Sequence, residues 1–300
     1  MESKINTYGV DTSYEPYSRE PEYLEANQRF LEQLPIQPGM KVLDLACGTL
    51  TISELLLQVH PNLTIMALDL SRESLELGQR DFIAQGYEVK DGIVLCKETP
   101  DLTNRLTLIE GSADCLPFRD GWADMVFMGN SIHMLPDFDL LLSEIRRVLV
   151  PGGLFAFNSA FYAGTQAPGT DPFYRIWWQK ALEWVLAQDA QRKAAGLPGI
   201  TRKRGTASRA KPWTSKDEWL ALIQRHGFAP TSVYERPVMM TQSSLETIGS
   251  YSGLARLALS GYPVDLASEA LSKSVKPAME EAGMTEVPRL WLEIASRKQA

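Results

Sequence analysis

The chain has 300 residues, of which 44% are hydrophobic and 22% charged, a globular composition long enough for one α/β domain with an appended lobe or for two small domains. Its 30 basic against 37 acidic side chains leave a net charge of −7, which excludes nucleic acid as the main partner, because backbone phosphates demand a basic face. No apolar run reaches the length of a membrane span and the opening Met-Glu-Ser-Lys-Ile-Asn-Thr-Tyr lacks an apolar signal core. Cys47, Cys96 and Cys115 show no metal-ligand spacing, so the expectation is a cytoplasmic protein with reduced thiols, no disulfide and no metal.

Tyr8, Tyr14, Tyr17 and Tyr23 lead into Leu24 to Leu34, an amphipathic helical stretch ended by Pro35. Val42, Leu43 and Leu45 form a short apolar run before Gly48, and Ile52, Leu55, Leu56 and Val59 follow at helical spacing, which reads as strand, tight turn, helix. Such a turn brings backbone N–H groups and a helix N-terminus up to a ligand, and Gly48 lets the backbone come close. The next strand ends at Ala67-Leu68-Asp69-Leu70, where the Asp69 carboxylate can accept both hydroxyls of a ribose. No phosphate-loop sequence occurs and two glycines of the dinucleotide fingerprint are missing, which argues against ATP and against a nicotinamide-dependent dehydrogenase.

Ser71 is placed to cap a second helix whose buried side carries Leu75, Phe82 and Ile83. Residues 86–105 are polar and read as an irregular insertion before a third strand, Leu106 to Glu110. Then come Gly111-Ser112-Ala113-Asp114-Cys115-Leu116-Pro117-Phe118 and a buried fourth strand from Trp122 to Met128. Asn130 and His133 stand at that strand's carboxyl end, where open α/β sheets bind ligands. His60 and His226 fall at predicted helix ends, where capping accounts for them. Phe138, Leu141, Leu142, Ile145 and Val148 repeat at helical spacing, and Pro151-Gly152-Gly153 turns the chain into a fifth strand, Leu154 to Phe157.

The pattern Asp44-x-x-x-Gly48 with Asp69 downstream, the Gly-x-Ala-x-x-Leu-Pro-Phe stretch and the junction from Glu144 to Gly153 resemble motifs of the class I S-adenosylmethionine-dependent methyltransferases. Within that class the chain resembles the ubiquinone/menaquinone-biosynthesis-like branch, over about residues 35 to 240. The resemblance implies a Rossmann-like, seven-stranded, mostly parallel sheet with an antiparallel last strand and helices on both faces. It implies that the turn of Asp44, Ala46 and Gly48 holds the methionine moiety and that Asp69 holds the ribose, with Leu70 beside it in the cofactor set. Ala113, Asp114 and Cys115 take the adenine, and Asn130 completes the cofactor set. Leu50 stands where the family usually has a second glycine. Leucine does not take positive φ easily, so this turn is expected to stay in ordinary backbone space, with cofactor affinity the property affected.

The implied organisation is an N-terminal lid (1–34), a cofactor-binding core (35–157), a helical cap insertion (158–213), the core continued (214–240), a second helical insertion (241–288) and a last strand (289–300). Thr214-Ser215-Lys216-Asp217 starts a helix bearing Trp219, Leu220, Leu222 and Ile223, followed by a sixth strand from Ser232 to Met240. In the cap, Phe173, Ile176, Trp177, Trp184 and Val185 form an apolar helical face with Trp178 beside it. Tyr14, Tyr17 and Trp177 are the expected acceptor contacts, with His133. The basic run of Arg202, Lys203, Arg204, Arg209 and Lys211 is either a solvated loop or a contact for an acidic substrate group or a carrier protein.

A sulfonium donor is already activated, so the protein must align the groups and exclude water. A hydroxyl or acidic-carbon acceptor gains from a base, for which His133 is the candidate. The expected function is methylation of a bulky, partly apolar small molecule such as a polyketide, isoprenoid or peptide metabolite of secondary metabolism, oxygen slightly ahead of carbon. An amine acceptor and a non-catalytic S-adenosylmethionine-binding protein are the alternatives.

Overall fold

The computed structural model describes residues 11–99, 102–203 and 213–300; Tyr8, Arg204, Arg209 and Lys211 lie outside them. The chain forms two units. Of the described residues, an α/β unit comprises 24–99, 102–165, 213–236 and 290–300, and a helical unit comprises 11–23, 166–203 and 237–289.

The strands are β1 (Lys41–Leu45), β2 (Thr64–Asp69), β3 (Glu88–Lys90), β4 (Val94–Thr99), β5 (Leu102–Glu110), β6 (Ala123–Gly129), β7 (Leu149–Ser159), β8 (Phe228–Met240) and β9 (Val287–Lys298), in the sheet order β3-β4-β5-β2-β1-β6-β7-β9-β8. The five strands from β5 to β7 run parallel, and β9 is antiparallel to β7. Seven of the nine are the expected ones. The other two correct the reading of residues 86–105 as irregular: β3 and β4 form a hairpin that pairs antiparallel with β5. Val94, Leu95 and Cys96 are buried along it, and Asp91 and Gly92 at the turn both take positive φ, at 53° and 74°. An Asp-Gly pair between short strand-like runs is a hairpin signal that overall polarity concealed.

Alternation along the central strands explains the layers, since successive side chains point to opposite faces. Val42, Ile65, Met125 and Phe127 join one core with Phe30 and Leu31 of α2 (Pro21–Glu32), Leu55 and Leu56 of α3 (Thr51–Val59) and Phe82 of α4 (Arg72–Ala84). Leu43, Leu45, Leu68, Val126 and Met128 join the other, with Leu141 and Ile145 of α5 (Phe138–Val148) and Trp219 and Ile223 of α7 (Lys216–Arg225). Residues 24–34, read from sequence as part of a lid, thus supply core side chains to the α/β unit. Ile83, expected on the buried side of α4, is 47% exposed, whereas Leu75 and Phe82 are buried.

Local chemistry sets the helix starts. Ser71 accepts the Ser74 N–H, Asp137 accepts that of Leu140, and Ser215 with Glu218 forms a capping box.

The helical unit contains α1 (Glu15–Ser18), α6 (Asp171–Ala194), α8 (Gln242–Ser250), α9 (Ser252–Ala258) and α10 (Val264–Ala282). The apolar face of α6, with Phe173, Trp177, Ala181 and Val185 buried, packs against α10, where the Trp177 indole donates to the Leu271 carbonyl at 2.7 Å. Among the described residues no helix is long and apolar enough to cross a membrane.

Candidate functional site

The turn between β1 and α3 is built from backbone that ordinary residues avoid. Ala46, Gly48 and Leu50 take φ of 52°, 55° and 67°, so Leu50 adopts the left-handed conformation that its side chain was expected to forbid. Tertiary packing overrides the local preference. A left-handed L-residue costs roughly 1–2 kcal/mol, and burying a leucine returns about 1.5–3 kcal/mol. Leu50 is fully buried. The space comes from Gly78 on α4, where a Cβ would lie 2.6 Å from the Leu50 Cγ and 2.7 Å from the Thr49 carbonyl oxygen. Gly48 faces open space.

Asp69 ties this turn to the next strand end. Its Oδ2 accepts the Gly48 N–H and its Oδ1 the Ser71 N–H, both at 2.8 Å. An ionised carboxylate has about four acceptor positions, so each oxygen keeps capacity for a hydroxyl. Leu70 beside it is 71% exposed, an apolar surface at a strand end. On the neighbouring loop after β5, Ala113 is buried, Asp114 half-buried and Cys115 exposed. That loop is held from α5: Glu144 accepts the Leu116 N–H at 2.9 Å, and Arg147 donates to the carbonyls of Phe118 at 2.6 Å and Leu116 at 3.0 Å. The Arg147 guanidinium keeps the Glu144 carboxyl below the usual range.

Asp44 is sealed inside. The Ser53 hydroxyl donates to its Oδ2 at 2.7 Å, while Oδ1 has no partner. Burial pushes its pKa up to about 7, against the Ser53 hydrogen bond and with help from the nearby Asp69 charge. Burial also raises the Cys47 thiol, which makes it an inert neighbour.

At the end of β6, Asn130 takes φ of 49° and is 2% exposed. Its N–H donates to the Asn158 side chain at 2.9 Å, its Oδ1 accepts the Ala160 N–H at 2.6 Å, and the Asn158 amide donates to Asn27 at 2.8 Å. The Asn130 Nδ2 has no partner. Two adjacent strands therefore end in one unmatched carboxylate oxygen and one unmatched amide donor. Such buried polar atoms usually find a partner, which a bound ligand would supply here. A ligand with an ammonium or hydroxyl donor, an acceptor and a ribose fits this donor and acceptor set.

His133 sits half-buried in the short 3₁₀ turn after β6 (Ile132–Met134), its ring stacked on Phe161 at 4.3 Å between centroids. Its Nδ1 lies 3.5 Å from Ser159 Oγ, which accepts the Phe161 N–H at 3.0 Å, and Phe161 meets Trp213 edge-on. The α/β unit thus brings together His133 and all nine residues named for the cofactor at the carboxyl ends of β1, β2, β5 and β6. Ser53, Asn158, Asn27, Ser159 and Phe161 were not singled out from sequence; an apolar run ending in Asn158-Ser159 at a strand terminus was the available signal.

Tyr14, Tyr17 and Trp177 belong to the helical unit. There Tyr17 is 1% exposed with its hydroxyl 3.6 Å from the Met240 sulfur, Tyr14 packs edge-on against Tyr17 and Tyr251, and burial raises both phenols. Trp177 is also 1% exposed, with its indole N–H satisfied by Leu271, so it serves as interior packing rather than as an open aromatic wall. Of the basic run, Arg202 donates to the Ser260 carbonyl at 3.0 Å and lies over the Tyr262 ring, and the Lys203 N–H donates to Gly261.

A methyltransferase-domain family matches residues 43–157. The demethylmenaquinone methyltransferase of Symbiobacterium thermophilum is 36% identical over 217 residues, covering 68% of this chain and 74% of that one. Two solved structures share the fold at low identity. Phosphoethanolamine N-methyltransferase 2 of Haemonchus contortus, solved with S-adenosylhomocysteine, is 16% identical with a TM-score of 0.54, covering 99% of this chain and 58% of its own. The cyclase SpnF is 15% identical with a TM-score of 0.56, covering 93% and 81%. The matched domain spans the strand–turn–helix of Asp44 and Gly48, the Asp69 and Asp114 loops and the α5–β7 junction, and with the Symbiobacterium relative it establishes that the chain belongs to the class I S-adenosylmethionine-dependent methyltransferases, with S-adenosylmethionine as its cofactor.

Proposed function

We propose that this S-adenosylmethionine-dependent small-molecule methyltransferase methylates a bulky, partly apolar, ring-bearing acceptor on oxygen, with carbon as the next choice, and that His133 is the base. The observation that carries the proposal is the position of His133: half-open at the carboxyl end of β6, stacked on Phe161 and within 3.5 Å of Ser159 Oγ. Relatives named for demethylmenaquinone, and the aromatic pair Phe161 and Trp213 beside the histidine, support an apolar ring as acceptor.

Asp44, Ala46 and Gly48 are proposed to hold the methionine part of the cofactor, Asp69 and Leu70 the ribose, and Ala113, Asp114 and Cys115 the adenine, with Asn130 completing the set. When bound, the cofactor supplies a methyl group on a positively charged sulfur. The protein's part is to position the acceptor, exclude water and move one proton. Alignment alone can contribute about 7–11 kcal/mol. In the tautomer that carries its proton on Nδ1, toward Ser159, the lone pair is on Nε2, and in this reading Nε2 takes the acceptor's proton as its oxygen or carbon becomes nucleophilic. Three unpaired cysteines, one of them exposed, support a reducing cytoplasmic setting.

The test measures S-adenosylhomocysteine release across hydroxylated and quinol-type acceptors, with mass spectrometry locating the added methyl. His133→Ala is expected to lower turnover about 10²–10⁴-fold with cofactor affinity unchanged. Near-normal turnover in that variant overturns the base assignment, and turnover with amines alone overturns the oxygen or carbon acceptor.

A further inference from the structure

The amino-terminal ends of β6 and β7 lie at the opposite end of the sheet from Asn130 and His133, and they border a cleft of about 810 Å³. Arg146 and Arg147 enter it from the last turn of α5, Arg225 and His226 from the end of α7, and Lys298 from β9. In a chain of net charge −7, that concentration of cations runs against the average. Part of it is compensated. Arg147 pairs with Glu144 at 2.7 Å and Asp120 at 3.0 Å, and Arg225 and His226 share Asp139. This corrects the reading of His226 as a simple cap.

Arg146 and Lys298 are different. The Arg146 Nη1 donates to the carbonyls of Gly227 at 2.8 Å and Gln299 at 3.1 Å, and Lys298 Nζ donates to the Leu149 carbonyl at 2.7 Å. Among the described residues, neither makes an ion pair with a carboxylate. Basic residues in the last turns of α5 and α7 are accounted for by the helix dipoles. Lys298 is not on a helix, yet β9 brings it against them. Partial desolvation first, and then repulsion from Arg146, hold its ammonium below the ordinary lysine range, with Asp120 opposing. Gly227, at φ 73°, makes the close approach: a Cβ there would stand 2.6 Å from the Arg146 Nη1.

We propose that this cleft binds a small phosphate-bearing anion, with Arg146 and Lys298 as its charge-assisted donors, at a site separate from the methyl-transfer site. A guanidinium fork beside an ammonium suits a tetrahedral, multiply charged oxyanion better than a single carboxylate.

Calorimetry on the full chain loaded with S-adenosylhomocysteine tests this, with pyrophosphate as probe and sulfate at matched ionic strength as the measure of charge alone. A single pyrophosphate site is expected, tighter than sulfate. Lys298→Gln and Arg146→Gln should each weaken it about tenfold to a hundredfold, the loss of one charge-assisted bond, while Lys97→Gln on the β3–β4 hairpin leaves it unchanged. Arg146→Gln can disturb the turn at Gly227, so Lys298→Gln carries the test, with unaltered S-adenosylhomocysteine binding as proof of an intact fold. No pyrophosphate binding, equal affinity for sulfate, or wild-type affinity in Lys298→Gln overturns the proposal.

Discussion

Asp44 on β1 and Glu293 on β9 are both sealed carboxylates of the α/β unit, and the two regions treat them in opposite ways. Glu293 is met by the Arg236 guanidinium at 2.6 Å, with Arg29 at 3.8 Å, two cations drawn from β8 and α2. Asp44 is met by one hydroxyl and no cation, although each of the two carboxylates keeps one oxygen without a hydrogen bond, Oδ1 of Asp44 and Oε1 of Glu293. Glu293 is thus neutralised from within the fold, whereas on the cofactor role proposed for Asp44 its charge is left for the ligand to meet. The difference lies in the cations, because burial raises both and each keeps one oxygen without a hydrogen bond.

The largest effect that tests this contrast is expected at the structural pair. Arg236→Met strands the Glu293 charge and should destabilise the chain by about 3–5 kcal/mol in urea unfolding, at most modestly changing cofactor affinity. A small loss would mean that Glu293 is protonated in the native state and the pair is ornamental. Next in size is Asp44. Its folded pKa, about 7, exceeds the unfolded value near 3.8, so the native state binds the extra proton. Stability without cofactor should be highest below about pH 4 for this group and fall as pH rises to about 7, by on the order of 4 kcal/mol at most. Asp44→Asn should abolish that slope. The same variant should weaken S-adenosylmethionine by about 1.5–3 kcal/mol, and wild-type affinity should rise with pH toward 7 as the carboxyl ionises. A pH-independent affinity would remove Asp44 from the site.

Gly78→Ala comes third. Its Cβ collides with Leu50 and Thr49, at a cost of about 1–3 kcal/mol, and it should raise the cofactor dissociation constant by displacing the turn, readable by calorimetry beside thermal unfolding. Ser53→Ala is the smallest, about 1 kcal/mol, and should move the Asp44 titration further up, visible as a shifted pH dependence of stability.

Much of this site is legible in sequence because strand ends and turns announce themselves locally. The apolar run into Asp44 and Gly48, the acid closing β2 and the Glu144–Gly153 junction all sit within a few residues of the elements that present them. What escaped reading depends on distant partners. Leu50 adopts left-handed backbone because Gly78, on a different helix, leaves room for it. Asn27, Asn130 and Asn158 meet only when α2, β6 and β7 are assembled. The hairpin at 86–99 escaped because its first strand is three residues long and exposed along its length, with one apolar side chain and no alternating pattern to read. In α6 the periodicity was plain, but periodicity alone does not say whether Trp177 faces a ligand or, as the structure has it, another helix.

The three-asparagine chain has a direction. The Ala160 N–H can only donate, so the Asn130 carbonyl oxygen must face it, and the amide cannot flip without setting two donors against each other. The amino group of Asn130 is thereby fixed as a buried donor, at the end of the strand next to the one that carries the Asp44 carboxyl. On the proposed binding of the cofactor's amino-acid end, one orientation would bring its ammonium to the Asp44 carboxylate and its carboxylate to the Asn130 amide, so that neither charge meets its like.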